Sequence, residues 1–121
     1  MKISEVASLS GLSVDTIRFY EREGLLCDIA RGADGHRAFT PQDLRWMRLF
    51  ERLRSTKMPL RDMKRYVALA QQGDNTFAAR REMLELHAAR LDAQQSKIDA
   101  CRTLITEKIE TYSTLEHDQV D

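Results

Sequence analysis

Thr16-Ile17-Arg18-Phe19-Tyr20-Glu21-Arg22-Glu23-Gly24-Leu25-Leu26, followed by Arg31-x-x-x-Gly35-His36-Arg37-x-Phe39, is the stretch on which the reading of this chain turns. Its first half is a short amphipathic helix. Ser13 precedes it with a hydroxyl able to cap free backbone N–H groups, and Asp15 lies in its first turn. Gly24 closes it with a residue that tolerates the left-handed C′ conformation. Ile17 packs inward, which leaves Val14, Thr16, Arg18 and Phe19 facing out. In the second half, from Cys27 to Phe39, the helical period vanishes. Gly32 and Asp34-Gly35 signal a loop or tight hairpin, which carries the basic residues Arg31, His36 and Arg37.

Upstream, Ile3, Val6 and Ala7 have helical spacing and the segment stops at Gly11. A small Ala7, a turn glycine at 11 and an inward Ile17 have the spacing of a helix-turn-helix. In that geometry the second helix enters a DNA major groove with its N-terminal residues toward base edges. Arg18 suits a forked contact with guanine or phosphate, and Thr16 suits a base edge or a phosphate. Arg31, His36 and Arg37 then reach phosphates from the side, as a wing does. Lys57, beside the Met58-Pro59 break, is a candidate second flank.

Downstream, Thr40-Pro41-Gln42-Asp43 opens a third helix with a capping threonine, a proline in the first turn and an acid at the third position. Leu44, Met47, Leu49, Phe50 and Leu53 continue its apolar stripe. Met58-Pro59-Leu60 starts a fourth helix through Met63, Tyr66, Val67 and Ala70, closed by Gln72-Gly73-Asp74. From about residue 76 to about residue 116 there is no proline or glycine, and Leu84, Leu91, Ile98, Ile105 and Tyr112 recur every seven residues, with Leu86, Leu104 and Ile109 beside them. Such a rod, about 60 Å long at about 1.5 Å per residue, needs a partner helix for its stripe, and a symmetric homodimer supplies one. Cys101, three residues after Ile98, falls where the dimer seam would run. The expected organisation is a DNA-binding domain over 1–72, a dimerisation helix over 76–116 and a tail over 117–121.

The 121 residues are 42% hydrophobic and 31% charged, enough for one small domain plus an extended element. The 19 basic and 19 acidic residues are unevenly placed. Through residue 70 there are thirteen Lys and Arg against nine Asp and Glu, net +4, and from residue 71 six against ten, net −4. A basic front half fits a polyanionic partner. No run approaches a membrane span and no apolar signal segment opens the chain, so no membrane partner is expected and the cytoplasm is the expected compartment. Cys27 and Cys101 lie too far apart for a zinc-ligand pair, and His36, His87 and His117 are too dispersed for a metal triad. With no nucleophile–base signature and no glycine-rich phosphate loop, neither an enzyme nor a cofactor is expected. The competing class is a coiled-coil adaptor whose head binds protein.

The opening motif, together with Thr40-Pro41-x-Asp43-Leu44 and the Gln72-Gly73-Asp74 connection, resembles the signature of the MerR family of bacterial transcription regulators over essentially the whole chain. The resemblance implies an all-α winged helix-turn-helix head and a dimer held by an antiparallel coiled coil. It implies double-stranded promoter DNA as partner: a near-palindromic operator in an overlong spacer, which the dimer bends and untwists for RNA polymerase. It also implies that Arg18 and Tyr20 contact DNA, with Ser13 and Thr16 in support, Arg31, His36 and Arg37 in the first wing and Lys57 in the second.

On sensing, the same resemblance divides. Only about nine residues follow Tyr112, so no effector domain is expected after the long helix, and Ser113 to Asp121 holds none of the paired cysteines of metal-sensing members. The chain looks most like the small branch associated with aldehyde, thiol or electrophile stress, yet residues 41–56 hold no cysteine, where that branch places one. The candidate thiol sensors are Cys27, near basic Arg31, and Cys101; the alternative for each is an inert small hydrophobe. A ligand pocket lined by Trp46, Phe50, Tyr66 and Phe77 is a further alternative, as is plain aromatic core.

Overall fold

A computed structural model describes residues 1–120; Asp121, the end of the expected tail, lies outside the described residues. The elements are α1 (Ile3–Ser10), α2 (Val14–Arg22), β1 (Ala30–Arg31), β2 (Arg37–Ala38), α3 (Pro41–Ser55), α4 (Leu60–Gln71), a short 3-10 turn (Asp74–Thr76) and α5 (Phe77–Val120). The architecture is the expected all-α winged helix-turn-helix followed by a long helix. The chain divides into two compact units, Met1–Met83 and the remainder from Leu84, so the first turns of α5 belong with the head. Among the described residues no helix is long and apolar enough to cross a membrane.

Two glycines and one lysine close the first three helices of the head. Gly11 ends α1 at φ +80°, donating its N–H to the carbonyl of Ala7. Gly24 (φ +81°) ends α2 with paired bonds, Gly24 N to Glu21 O at 3.2 Å and Leu25 N to Tyr20 O at 2.9 Å. The same motif ends α3, but there Lys57 takes the left-handed position at φ +74°, with Met58 N bonded to Leu53 O at 2.9 Å and Lys57 N to Arg54 O at 3.1 Å. At the start of α3 the capping box is complete: Thr40 Oγ1 accepts from Asp43 N at 3.1 Å and Asp43 Oδ2 from Thr40 N at 2.9 Å.

The core holds Val6, Leu12, Ile17, Tyr20, Leu25, Leu26, Phe39, Met47, Phe50, Leu53, Met58, Met63 and Val67. It runs from α1 across α2 and α3 to α4, and Phe39 brings the end of the wing into it. An aromatic row links the helices: Tyr20 meets Phe50 edge-on at 5.9 Å, Phe50 meets Trp46 at 5.6 Å, and Trp46 meets Tyr66 at 5.9 Å.

The wing is an antiparallel ribbon pairing Ala30 with Ala38 and Arg31 with Arg37. Its turn is one residue longer than an Asp34-Gly35 hairpin. Gly32 N bonds His36 O at 2.8 Å, Gly35 N bonds Gly32 O at 3.0 Å, and Gly35 sits at φ +82°. This is the three-residue loop that ends in a left-handed residue. Asp34 serves a local turn, its Oδ1 accepting from His36 N at 3.0 Å.

In the second unit α5 continues to Val120, so residues 117–120 are helix and not the tail expected beyond residue 116. No proline or glycine interrupts it there, and nothing in Glu116-His117-Asp118-Gln119 opposes helix. Leu91, Ile98, Leu104, Ile105, Ile109, Tyr112 and Leu115 are all exposed along it, and Cys101 lies exposed among them. Leu84, the first residue of the expected seam, is half-buried.

Candidate nucleic-acid interface

The candidate interface is built from α2 outward. Ser13 caps the helix: its Oγ accepts from Thr16 N at 3.1 Å and donates to Thr16 Oγ1 at 2.8 Å. The two hydroxyls therefore hold one another at the helix N-terminus, where backbone donors and the helix dipole favour an anion. Val14 and Thr16 are half-buried and Arg18 is exposed, with no ion-pair partner among the described residues. Arg18 is thus the cation of this helix most available to a base edge or phosphate.

Two residues assigned to the interface, Phe19 as outward-facing and Tyr20 by the resemblance, are placed otherwise. Tyr20 is 2% exposed, and its hydroxyl is buried with no hydrogen-bond partner among the described residues. Burial raises its pKa, opposed by Arg54 and reinforced by Glu51. Tyr20 follows Ile17 by one helical turn, and that inward period overrides the contact assigned to it by resemblance. Phe19 is half-buried against the core, with the Arg22 guanidinium over its ring at 5.9 Å.

The basic groups of the wing differ among themselves. Arg31 is exposed and reaches Gly35 O through Nη1 at 3.3 Å, and His36 is exposed. Arg37 is half-buried, and its Nε is bonded to both carboxylate oxygens of Glu21 on α2. Lys57 is exposed at the α3–α4 corner. All of these residues lie in the first compact unit. Sequence reasoning missed the two ties at the end of α2, Glu21 to Arg37 and Glu23 to Lys64 of α4. The partners are 16 and 41 positions apart, and no local periodicity relates such residues.

The sensing candidates are equally concrete. Cys27 and Cys101 are free thiols. The Cys27 thiol donates to Gly24 O at 2.9 Å and borders a cavity of about 340 Å³ lined also by Leu25, Trp46, Val67 and Gln71. Trp46 and Tyr66 line a second opening of about 290 Å³, with Arg45 and Arg80. The four-aromatic pocket weighed as an alternative to plain core is not assembled. Phe50 is fully buried core, and Phe77 is exposed with Arg80 stacked on its ring at 4.6 Å.

Comparison with known proteins agrees with this geometry. Residues 1–69 match the model of the MerR HTH family regulatory protein, and residues 44–108 match the MerR DNA-binding model. An uncharacterized HTH-type transcriptional regulator of Haemophilus influenzae is 33% identical over 109 residues, covering 90% of this chain and 81% of that protein. A MerR-family regulator structure from Listeria monocytogenes superposes with a TM-score of 0.87 at 33% identity, covering 94% of this chain and 86% of that one. HiNmlR, a MerR-family regulator lacking the sensor domain and solved bound to promoter DNA, superposes with a TM-score of 0.77 at 33% identity over 82% of this chain and 75% of that one.

Proposed function

The chain belongs to the MerR family of helix-turn-helix transcriptional regulators, which are not enzymes, and from that premise we propose that it acts as a homodimer on a near-palindromic promoter operator. Each α2 enters a major groove and presents Arg18 to base edges, with Ser13 and Thr16 in support. Arg31, His36 and Arg37 of the wing and Lys57 at the α3–α4 corner take phosphates on either side. The α5 helices of two copies pair antiparallel, which sets the distance between the heads. Distortion of an overlong spacer then realigns the promoter for RNA polymerase in the cytoplasm, in answer to a stress signal. Cys27 and Cys101 are the candidate thiols for such a signal, the alternative for each being an inert small hydrophobe.

The observation that carries the dimer is the apolar stripe of α5. Ile98 and Ile105 are 52% and 53% exposed, and their neighbours on the stripe are exposed with them. A stripe of this length on one helix is the seam of a coiled coil. HiNmlR, bound to promoter DNA, supports duplex DNA as the partner. The test is a gel-shift titration on duplexes recovered from genomic fragments that the full chain retains. Arg18→Ala and Arg37→Ala are each expected to weaken binding at least tenfold with the dimer intact. Wild-type affinity should fall steeply with salt as counterions are released. Unchanged affinity in both variants would overturn these roles, and salt-independent binding to protein alone would favour an adaptor.

A further inference from the structure

In the wing, Arg31 and Arg37 are directly paired across the ribbon, so two cations project from the same face. Like charges opposite one another destabilise a two-stranded ribbon unless an anion lies between or beside them. The chain supplies one. Glu21, in the last turn of α2, receives Arg37 Nε on both carboxylate oxygens, and the pair is partly shielded, with 31% and 24% of the two side chains exposed. An acid at that position is otherwise disfavoured twice over. It opposes the negative end of the helix dipole, and it puts a negative charge on the element expected to approach phosphates. Both bonds start from Nε, which leaves the donors of the two Nη groups for a further acceptor.

We infer that Glu21 is a positioning residue for DNA binding. It fixes Arg37, and with it the wing, in register with the recognition helix, so that one rigid body presents Arg18 to the groove and the Arg37 Nη donors to the flanking phosphate. The inference rests on the DNA-binding reading above. The same end of α2 is tied on its other side by Glu23 to Lys64 of α4, so the helix is held between the wing and the fourth helix. Of the two ties, only the one from Glu21 reaches a residue of the wing.

The test turns on sign. Glu21→Gln removes a negative charge from a DNA-binding surface, which by long-range electrostatics alone should tighten binding. A positioning role predicts the reverse. On duplexes recovered from genomic fragments, affinity should fall about fivefold or more, and the salt slope of log K should shrink by about 0.9 for each phosphate that a head no longer neutralises. In the free protein, amide hydrogen exchange in residues 30–38 should quicken while α1 and α3 keep their protection. Should Glu21→Gln fail to fold, Glu21→Asp carries the same test, since it keeps the charge and withdraws the carboxylate by one methylene. Tighter binding by Glu21→Gln would mean that Glu21 competes with phosphate for Arg37, and would overturn the inference. So would unchanged affinity, an unchanged salt slope, or unchanged exchange in the wing. Failure of the wild-type chain to bind any duplex would instead overturn the DNA-binding reading, and the exchange measurement would still report whether Glu21 holds the wing.

Discussion

Tyr20 and His87 show how single side chains carry testable energy. The Tyr20 hydroxyl is buried without a partner among the described residues, and leaving a buried donor unpaired costs about 1–3 kcal/mol. Tyr20→Phe keeps the edge-on contact with Phe50 and removes that cost, so the urea midpoint should rise by the equivalent of about 1 kcal/mol. DNA affinity should be unchanged, and a loss would show that the hydroxyl turns outward to a phosphate in the complex. His87 is buried on α5, and its pKa is lowered, first by burial and then by Arg90. The unfolded chain therefore takes up a proton near pH 6.5 while the folded chain still resists it. Stability should be insensitive to His87 above about pH 6.5 and should decline as pH falls below it. In His87→Gln that part of the acid-side decline should disappear; parallel stability–pH curves for the two proteins would contradict this.

At the scale of elements, the α3–α4 corner repeats the bond pattern of the α2 corner with a different residue in the left-handed position. Gly24 adopts it freely, whereas Lys57 bears the steric cost of its Cβ. That cost, about 1–2 kcal/mol, exceeds the 0.4–1 kcal/mol or so of chain entropy that a glycine returns to the unfolded state. Lys57→Gly should therefore stabilise the head by roughly 0.5–1 kcal/mol in a thermal or urea melt. Affinity for operator duplex should fall in the same variant, because a cation proposed to contact phosphate is gone. A variant both more stable and weaker in binding would separate the functional reason for lysine from its structural cost. Equal affinity would remove Lys57 from the interface.

For the whole molecule the decisive quantity is the apolar surface left on α5. Ile98→Glu with Ile105→Glu puts two charges into the proposed seam, where an unpaired buried charge is prohibitive. Sedimentation should find the wild type as a dimer and this variant as a monomer. Operator affinity should then collapse even though every residue of the head is intact. A monomeric wild type would defeat the dimer, and a dimeric double variant would move its interface elsewhere. The charge distribution belongs to the same scale. An overall neutral chain carries net +4 through residue 70 and net −4 beyond it, so the excess cations lie in the part that folds as the DNA-binding head.

Most of the architecture was legible in local chemistry. Ser13, Thr40-Pro41-x-Asp43 and Gly24 mark helix ends because caps and left-handed closures are short-range requirements. The seven-residue repeat marks α5 because periodicity survives without knowledge of neighbours. The end of α5 was less legible, since nothing in residues 117–120 either stops or demands a helix. The details of the site required the folded chain. Tyr20 belongs to the core because α3 brings Phe50 against it, and Arg37 belongs to Glu21 because the wing folds back onto α2. A sequence by itself determines which backbone segments can form and which faces are apolar, since those follow from each residue and its near neighbours. Only the tertiary structure decides which of two plausible outward residues is covered and which cation is already paired, because burial and ion pairing depend on atoms that chain order does not bring together.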